Sequence, residues 1–160
     1  MNERIRNFLQ GRRDEGPCLV VDLDVIRDNY TNFAKALPDT RVFYAVKANP
    51  APEVLSLLAS LGSCFDTASV AEIEMVLAAG ATADRISFGN TIKKERDIAR
   101  AYALGVRLFA VDCQAEVEKV ARVAPAASAI SISATVAVSK QEPSEASSDN
   151  TSGAGLALTA

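Results

Sequence analysis

Four short β-rich segments recur along this chain at intervals of 21, 22 and 21 residues, and that even pitch limits the available folds more than any other feature. They occupy residues 43–46, 64–68, 86–89 and 107–111. Between them the apolar residues fall at helical spacing: Val54, Leu55, Leu58 and Leu61, then Ile73, Val76 and Leu77, with two further helices expected over 94–104 and 114–123. Gly62, Gly80 and Gly105 stand where helices of this kind end. A strand, a helix and a second strand within about 21 residues form a right-handed βαβ crossover, so the strands must be parallel. Upstream, residues 18–23 read as a further strand and 25–37 as a helix, with Val25, Ile26, Tyr30, Phe33 and Leu37 on one face.

The expected fold class is therefore α/β, with about four to five parallel βα units. Residues 1–16 form a lead-in and 17–138 the folded part. From Ala124 onward the composition changes: the last 37 residues hold 10 Ala, 8 Ser and 3 Thr, with no Arg and no aromatic residue. Residues 130–138 alternate like one more strand, whereas 139–160 are polar and low in complexity, and disorder is expected there.

Several classes of function are excluded at this stage. A net charge of −3 and a pI near 5.0 argue against a nucleic-acid surface. No apolar run is long enough for a membrane span, and the charged N-terminus does not resemble a secretory signal, so a cytoplasmic location is expected. The chain has no histidine, which removes Ser-His and Cys-His hydrolytic pairs. Cys18, Cys64 and Cys113 match no disulfide or zinc spacing and read as reduced, structural thiols.

In a parallel α/β sheet, ligands gather at the carboxyl ends of the strands. Those ends carry Lys47 and Asn49, Asp66 and Ser69, Asn90 and Thr91, and Asp112. Ser69, Asn90 and Asp112 are also ordinary helix N-caps. Lys47 is not a capping residue. In a partly desolvated pocket a lysine releases its proton more readily and presents the neutral amine that forms an imine with an aldehyde. A lone strand-end lysine is more often solvated or salt-bridged, and spacing alone does not select the imine role.

The residues around Lys47 carry a further signal. Tyr44-Ala45-Val46-Lys47-Ala48-Asn49-Pro50 closely resembles the lysine motif of the pyridoxal-phosphate-dependent decarboxylases that act on ornithine and related diamino acids. Phe65-Asp66-Thr67-Ala68-Ser69, Gly89-Asn90-Thr91-Ile92-Lys93 and Phe109-Ala110-Val111-Asp112 resemble the following barrel strands of that family in order. The resemblance runs from about Pro17 to Pro125. It implies part of a (β/α)8 TIM-type barrel of the alanine-racemase-like kind and pyridoxal 5'-phosphate as cofactor. Lys47 would be the catalytic and cofactor-binding residue, joined to the cofactor as a Schiff base, with Asp66 as its acidic partner. It also implies amino-acid decarboxylation in polyamine biosynthesis, a small amino-acid substrate, no metal, and a homodimer. Ornithine is the first substrate expected, with lysine or diaminopimelate as alternatives.

A complete barrel needs about 250 residues. The family's cofactor-stacking histidine, glycine-rich phosphate loop, ring-nitrogen acid and cross-dimer residues are missing here. The chain is accordingly expected to be a truncated or frame-shifted form, altered near Ala127 and inactive alone. The alternative is a non-catalytic half-barrel interaction module. In either case two open sheet edges are expected.

Overall fold

The computed structural model describes residues 3–14 and 16–131. It is an α/β fold built on one five-stranded sheet. The strands are β1 (Phe43–Ala45), β2 (Cys64–Thr67), β3 (Ile86–Phe88), β4 (Leu108–Val111) and β5 (Ser128–Ser131). They lie side by side in sequence order, and every neighbouring pair is parallel. The helices are α1 (Glu3–Gly11), α2 (Leu23–Ala36), α3 (Pro52–Ser60), α4 (Val70–Ala78), α5 (Glu95–Ala103) and α6 (Gln114–Val123). Strictly sequential order with a helix in each crossover is the plan of a TIM-type barrel wall, and it bears out the α/β partial-barrel expectation. Among the described residues, β1 and β5 are the open edges.

Alternation along the strands separates two faces. Tyr44, Phe65, Thr67, Ile86, Phe88, Phe109 and Val111 face the helices, where they join Val54, Leu55, Leu58, Ile73, Val76, Ile98, Ala101 and Val120; of these only Tyr44 is not fully buried. The opposite, concave face presents Phe43, Asp66, Ser87, Leu108, Ala110 and Ile130 around a 230 Å³ cavity. A parallel sheet covered on one side only keeps its core between sheet and helices, so the concave side is free to carry polar groups at the strand ends.

The three predicted glycine stops are confirmed. Gly62, Gly80 and Gly105 have φ of +89°, +95° and +99°. In each case the next residue bonds back into the last turn, as Ser63 N–H does to the Leu58 carbonyl at 3.0 Å and Val106 N–H to that of Ala101 at 3.1 Å.

Several expectations are corrected. Residues 18–22 form no strand, because Asp22 instead caps α2, accepting the Asp24 N–H at 3.1 Å, and also receives Arg4 from α1, whose Nε lies 3.0 Å from it. The lead-in thus contains a helix that the sequence did not suggest. In α2, Ile26 and Tyr30 pack on the core while Val25, Phe33 and Leu37 are exposed; the helix lies against α3. Of the three cysteines, Cys64 is buried, but Cys18 and Cys113 are exposed. The fifth strand begins at Ser128, and the remainder of the segment expected at 130–138, like the tail at 139–160, lies outside the described residues. No helix among the described residues is long and apolar enough to cross a membrane.

Candidate functional site

The strand β1 ends at Ala45, and Val46–Ala48 make a single 3-10 turn, so Lys47 stands on a tight corner at the carboxyl end of the sheet. Val46 anchors that corner in the core, fully buried. The far side is closed by Tyr44, whose hydroxyl donates to the Asn49 carbonyl at 3.1 Å, and by Asn49 itself, whose side chain accepts the Ala51 N–H at 3.1 Å at the start of α3. Pro52 at the first turn of α3 then fixes the exit. Lys47 is exposed and makes no hydrogen bond or salt bridge among the described residues. The desolvated pocket expected around it is therefore not formed by these residues alone.

Asp66 lies two residues past the start of β2, paired in register with Ala45 on one side and Ser87 on the other. It is half-buried on the concave face, and Ser87 Oγ donates to its Oδ1 at 2.7 Å. Lys47 and Asp66 both line one 200 Å³ cavity, together with Ala68, Glu72, Gly89, Asn90 and Thr91. The structure thus brings the two sequence-predicted site residues to one opening, and it adds Glu72 and Gly89, which sequence reasoning did not place there.

The Ser69-x-x-Glu72 spacing of a capping box is the signal that could have located Glu72. Ser69 Oγ accepts the Glu72 N–H at 3.2 Å, and Glu72 Oε2 accepts the Ala68 N–H at 2.6 Å, a variant of the capping box reaching one residue further back. Ser69 is an N-cap as expected, whereas the N-cap positions of α5 and α6 are Lys94 and Cys113, so Asn90 and Asp112 are not caps.

The wall behind this opening is held by a buried cation that sequence reasoning also missed. Lys93 Nζ, its side chain fully buried, donates to the carbonyls of Asn90 at 2.9 Å, Thr91 at 3.2 Å and Ala110 at 2.5 Å, and stands 3.6 Å from Glu116 of α6. Glu116 also accepts the Lys93 N–H at 3.3 Å and pairs with Lys119. Burial pulls the Lys93 ammonium below its ordinary value, with Glu116 opposing. Although Lys93 is the perturbed lysine, all its donors are committed, so it is a staple between the β3–α5 loop and β4, not a free amine.

Burial likewise holds the Tyr44 phenol above its usual 10.0. A raised acid favours the fold while it is neutral, so its contribution is present below pH 10 and is lost as pH rises through that value. Tyr44→Phe is expected to cost about 1 kcal/mol near neutrality through the lost hydrogen bond. It should also flatten the alkaline fall in stability, which urea unfolding across that range would measure.

The donor set suits an aldehyde cofactor at one end: a primary amine with no competing partner among the described residues, a fixed carboxylate on the same opening, and a rigid backbone wall. At 200 Å³ the cavity is smaller than the roughly 300 Å³ at which small-molecule sites usually begin, as fits one side of a site. The class this fold and opening define is a parallel βα barrel wall with a lysine at its strand ends.

Comparison with known proteins gives the particular family. Residues 23–159 match the family model described as pyridoxal-dependent decarboxylase, pyridoxal binding domain, and the chain belongs to this family. Pyridoxal phosphate is the cofactor of that domain. The chain is 41% identical over 116 residues to lysine/ornithine decarboxylase of Selenomonas ruminantium, covering 72% of the chain and 30% of the relative. It is 47% identical over 107 residues to chloroplastic ornithine decarboxylase of Nicotiana glauca, covering 67% and 25%. A crystal structure of SrLDC in complex with PLP and cadaverine superposes with a TM-score of 0.73 at 38% identity, covering 82% of this chain and 34% of that one. The chain thus spans between a quarter and about a third of the length of these relatives.

Proposed function

We propose that this chain supplies the lysine-bearing wall of a pyridoxal-phosphate site for decarboxylation of a small diamino acid, ornithine first and lysine second. The supporting observation is the shared opening of Lys47 and Asp66, with the amine of Lys47 uncommitted among the described residues. Lys47 would hold the cofactor through its Nζ and be released when a substrate amine takes its place. The bound cofactor supplies an electron sink for the pair left when carbon dioxide departs. Asp66 presents a carboxylate that favours a proton on nitrogen beside it. The Tyr44–Asn49 closure keeps Lys47 at the corner, and the Lys93 staple holds the Asn90 and Thr91 backbone that forms the opposite wall. Substrate choice is supported by the relatives: both are ornithine or lysine/ornithine decarboxylases, and the solved neighbour holds cadaverine.

The test is absorbance of the purified chain titrated with pyridoxal phosphate. An imine band is expected in the natural chain and its loss in Lys47→Ala; a band that survives the substitution unchanged would refute Lys47 as the anchor.

A further inference from the structure

Asp66 is the one carboxylate on the concave face of the described strands, set among Phe43, Leu108, Ala110 and Ile130. It lines both the concave cavity and the opening that holds Lys47, so its orientation decides which of the two its charge serves. Two neighbours on β3 and just beyond it restrict that choice. Ser87 lies directly opposite Asp66 in register, and its hydroxyl has a single proton to give. The Asp66 Oδ1 at 2.7 Å is nearer than the Phe65 carbonyl at 3.4 Å and carries charge, so the proton goes to the carboxylate. Gly89 is the second neighbour. A methyl group there would meet Asp66 Oδ1 at 1.9 Å and Cγ at 2.6 Å, inside any permitted contact, so the carboxylate occupies space that exists only because residue 89 has no side chain. The Gly89 φ is not in the left-handed region, so the glycine is needed for room and not for backbone conformation.

We propose that Ser87 and Gly89 are positioning residues that aim the Asp66 carboxylate at the Lys47 opening, Ser87 by donating to Oδ1 and Gly89 by leaving room for it. This rests on the reading of Lys47 and Asp66 as the cofactor-facing pair. Oδ1 accepts from the hydroxyl, and both carboxylate oxygens lie against Gly89, which lines the same opening. A carboxylate held there favours the protonated form of an imine on Lys47. Once freed, it takes up other rotamers and that preference weakens.

The experiment compares the full chain with Ser87→Ala, Ser87→Thr, Gly89→Ala and Lys47→Ala. Each is titrated with pyridoxal phosphate, and the pH midpoint of the imine absorbance is recorded; urea unfolding confirms that each variant is folded. Ser87→Ala is expected to weaken affinity about tenfold, the scale of one hydrogen bond to a charged group. It should also move the imine midpoint to lower pH. Ser87→Thr, which keeps the hydroxyl, should restore both. Gly89→Ala should shift both in the same direction as Ser87→Ala; if it fails to fold, the Ser87 pair decides alone. A Lys47-dependent band with the same affinity and midpoint in Ser87→Ala as in the natural chain would overturn the positioning role while leaving the proposed function intact. Equal behaviour of Ser87→Ala and Ser87→Thr would do the same. No Lys47-dependent band in the natural chain would overturn the proposed function, and this inference with it.

Discussion

Phe65→Ala is expected to destabilise the fold by about 3–5 kcal/mol, the usual cost of emptying an aromatic site in a packed core. Phe65 is fully buried in β2, paired in register between Tyr44 and Ile86, and meets the Tyr44 ring edge-on at 6.4 Å. Its ring lies in the core between the sheet and the helices. Single domains are stable by only about 5–15 kcal/mol, so the loss is a large fraction of the total. Urea unfolding followed by circular dichroism should show the midpoint fall sharply; a change under about 1 kcal/mol would mean that the core collapses around the cavity. Because Phe65 immediately precedes Asp66, the same substitution should loosen the site.

Lys93→Met should cost about 3 kcal/mol, by a different route. The methionine fills similar volume, so the loss is electrostatic: the carbonyls of Asn90, Thr91 and Ala110 lose their donor, and buried Glu116 keeps only Lys119 and the Lys93 backbone N–H. Adding Glu116→Gln to Lys93→Met removes a buried charge left with Lys119 as its single cationic partner, while keeping an acceptor for that N–H. The double variant should therefore recover part of the loss, and a cycle of the two single changes and the pair measures the coupling. If Glu116→Gln deepened the loss of Lys93→Met, the electrostatic account would fail. The pH dependence has its own sign. A base whose folded value is depressed binds fewer protons in the fold than in the unfolded chain below 10.5, so the natural chain should gain stability as pH rises toward that value, and Lys93→Met should not. This is opposite in direction to the Tyr44 effect, which begins above 10.0, so the two separate in a double titration of the single variants.

The βα pitch was legible because each crossover must return the chain to the next parallel strand. Local spacing therefore encodes topology, and the order β1 to β5 follows from it. Helix stops were equally legible, since only glycine takes the left-handed corner at Gly62, Gly80 and Gly105 without strain. Residues 18–23 misled because an apolar run specifies a strand only when a neighbouring strand can receive its backbone bonds; here Asp22 and Arg4 join α1 to the start of α2 instead.

At the site, residue order alone places Lys47 at the close of an apolar segment and Asp66 one βα unit later, and the motif order around them carries the family resemblance. Their surroundings come from packing between strands and helices distant in sequence. The shared opening of Lys47 and Asp66, the hydroxyl of Ser87, the bare position at Gly89, and Lys93 buried against the Ala110 carbonyl and Glu116 join residues roughly twenty positions apart. Register across a parallel sheet sets such contacts, and hydrophobic periodicity records which face a residue takes but not which neighbour it meets there.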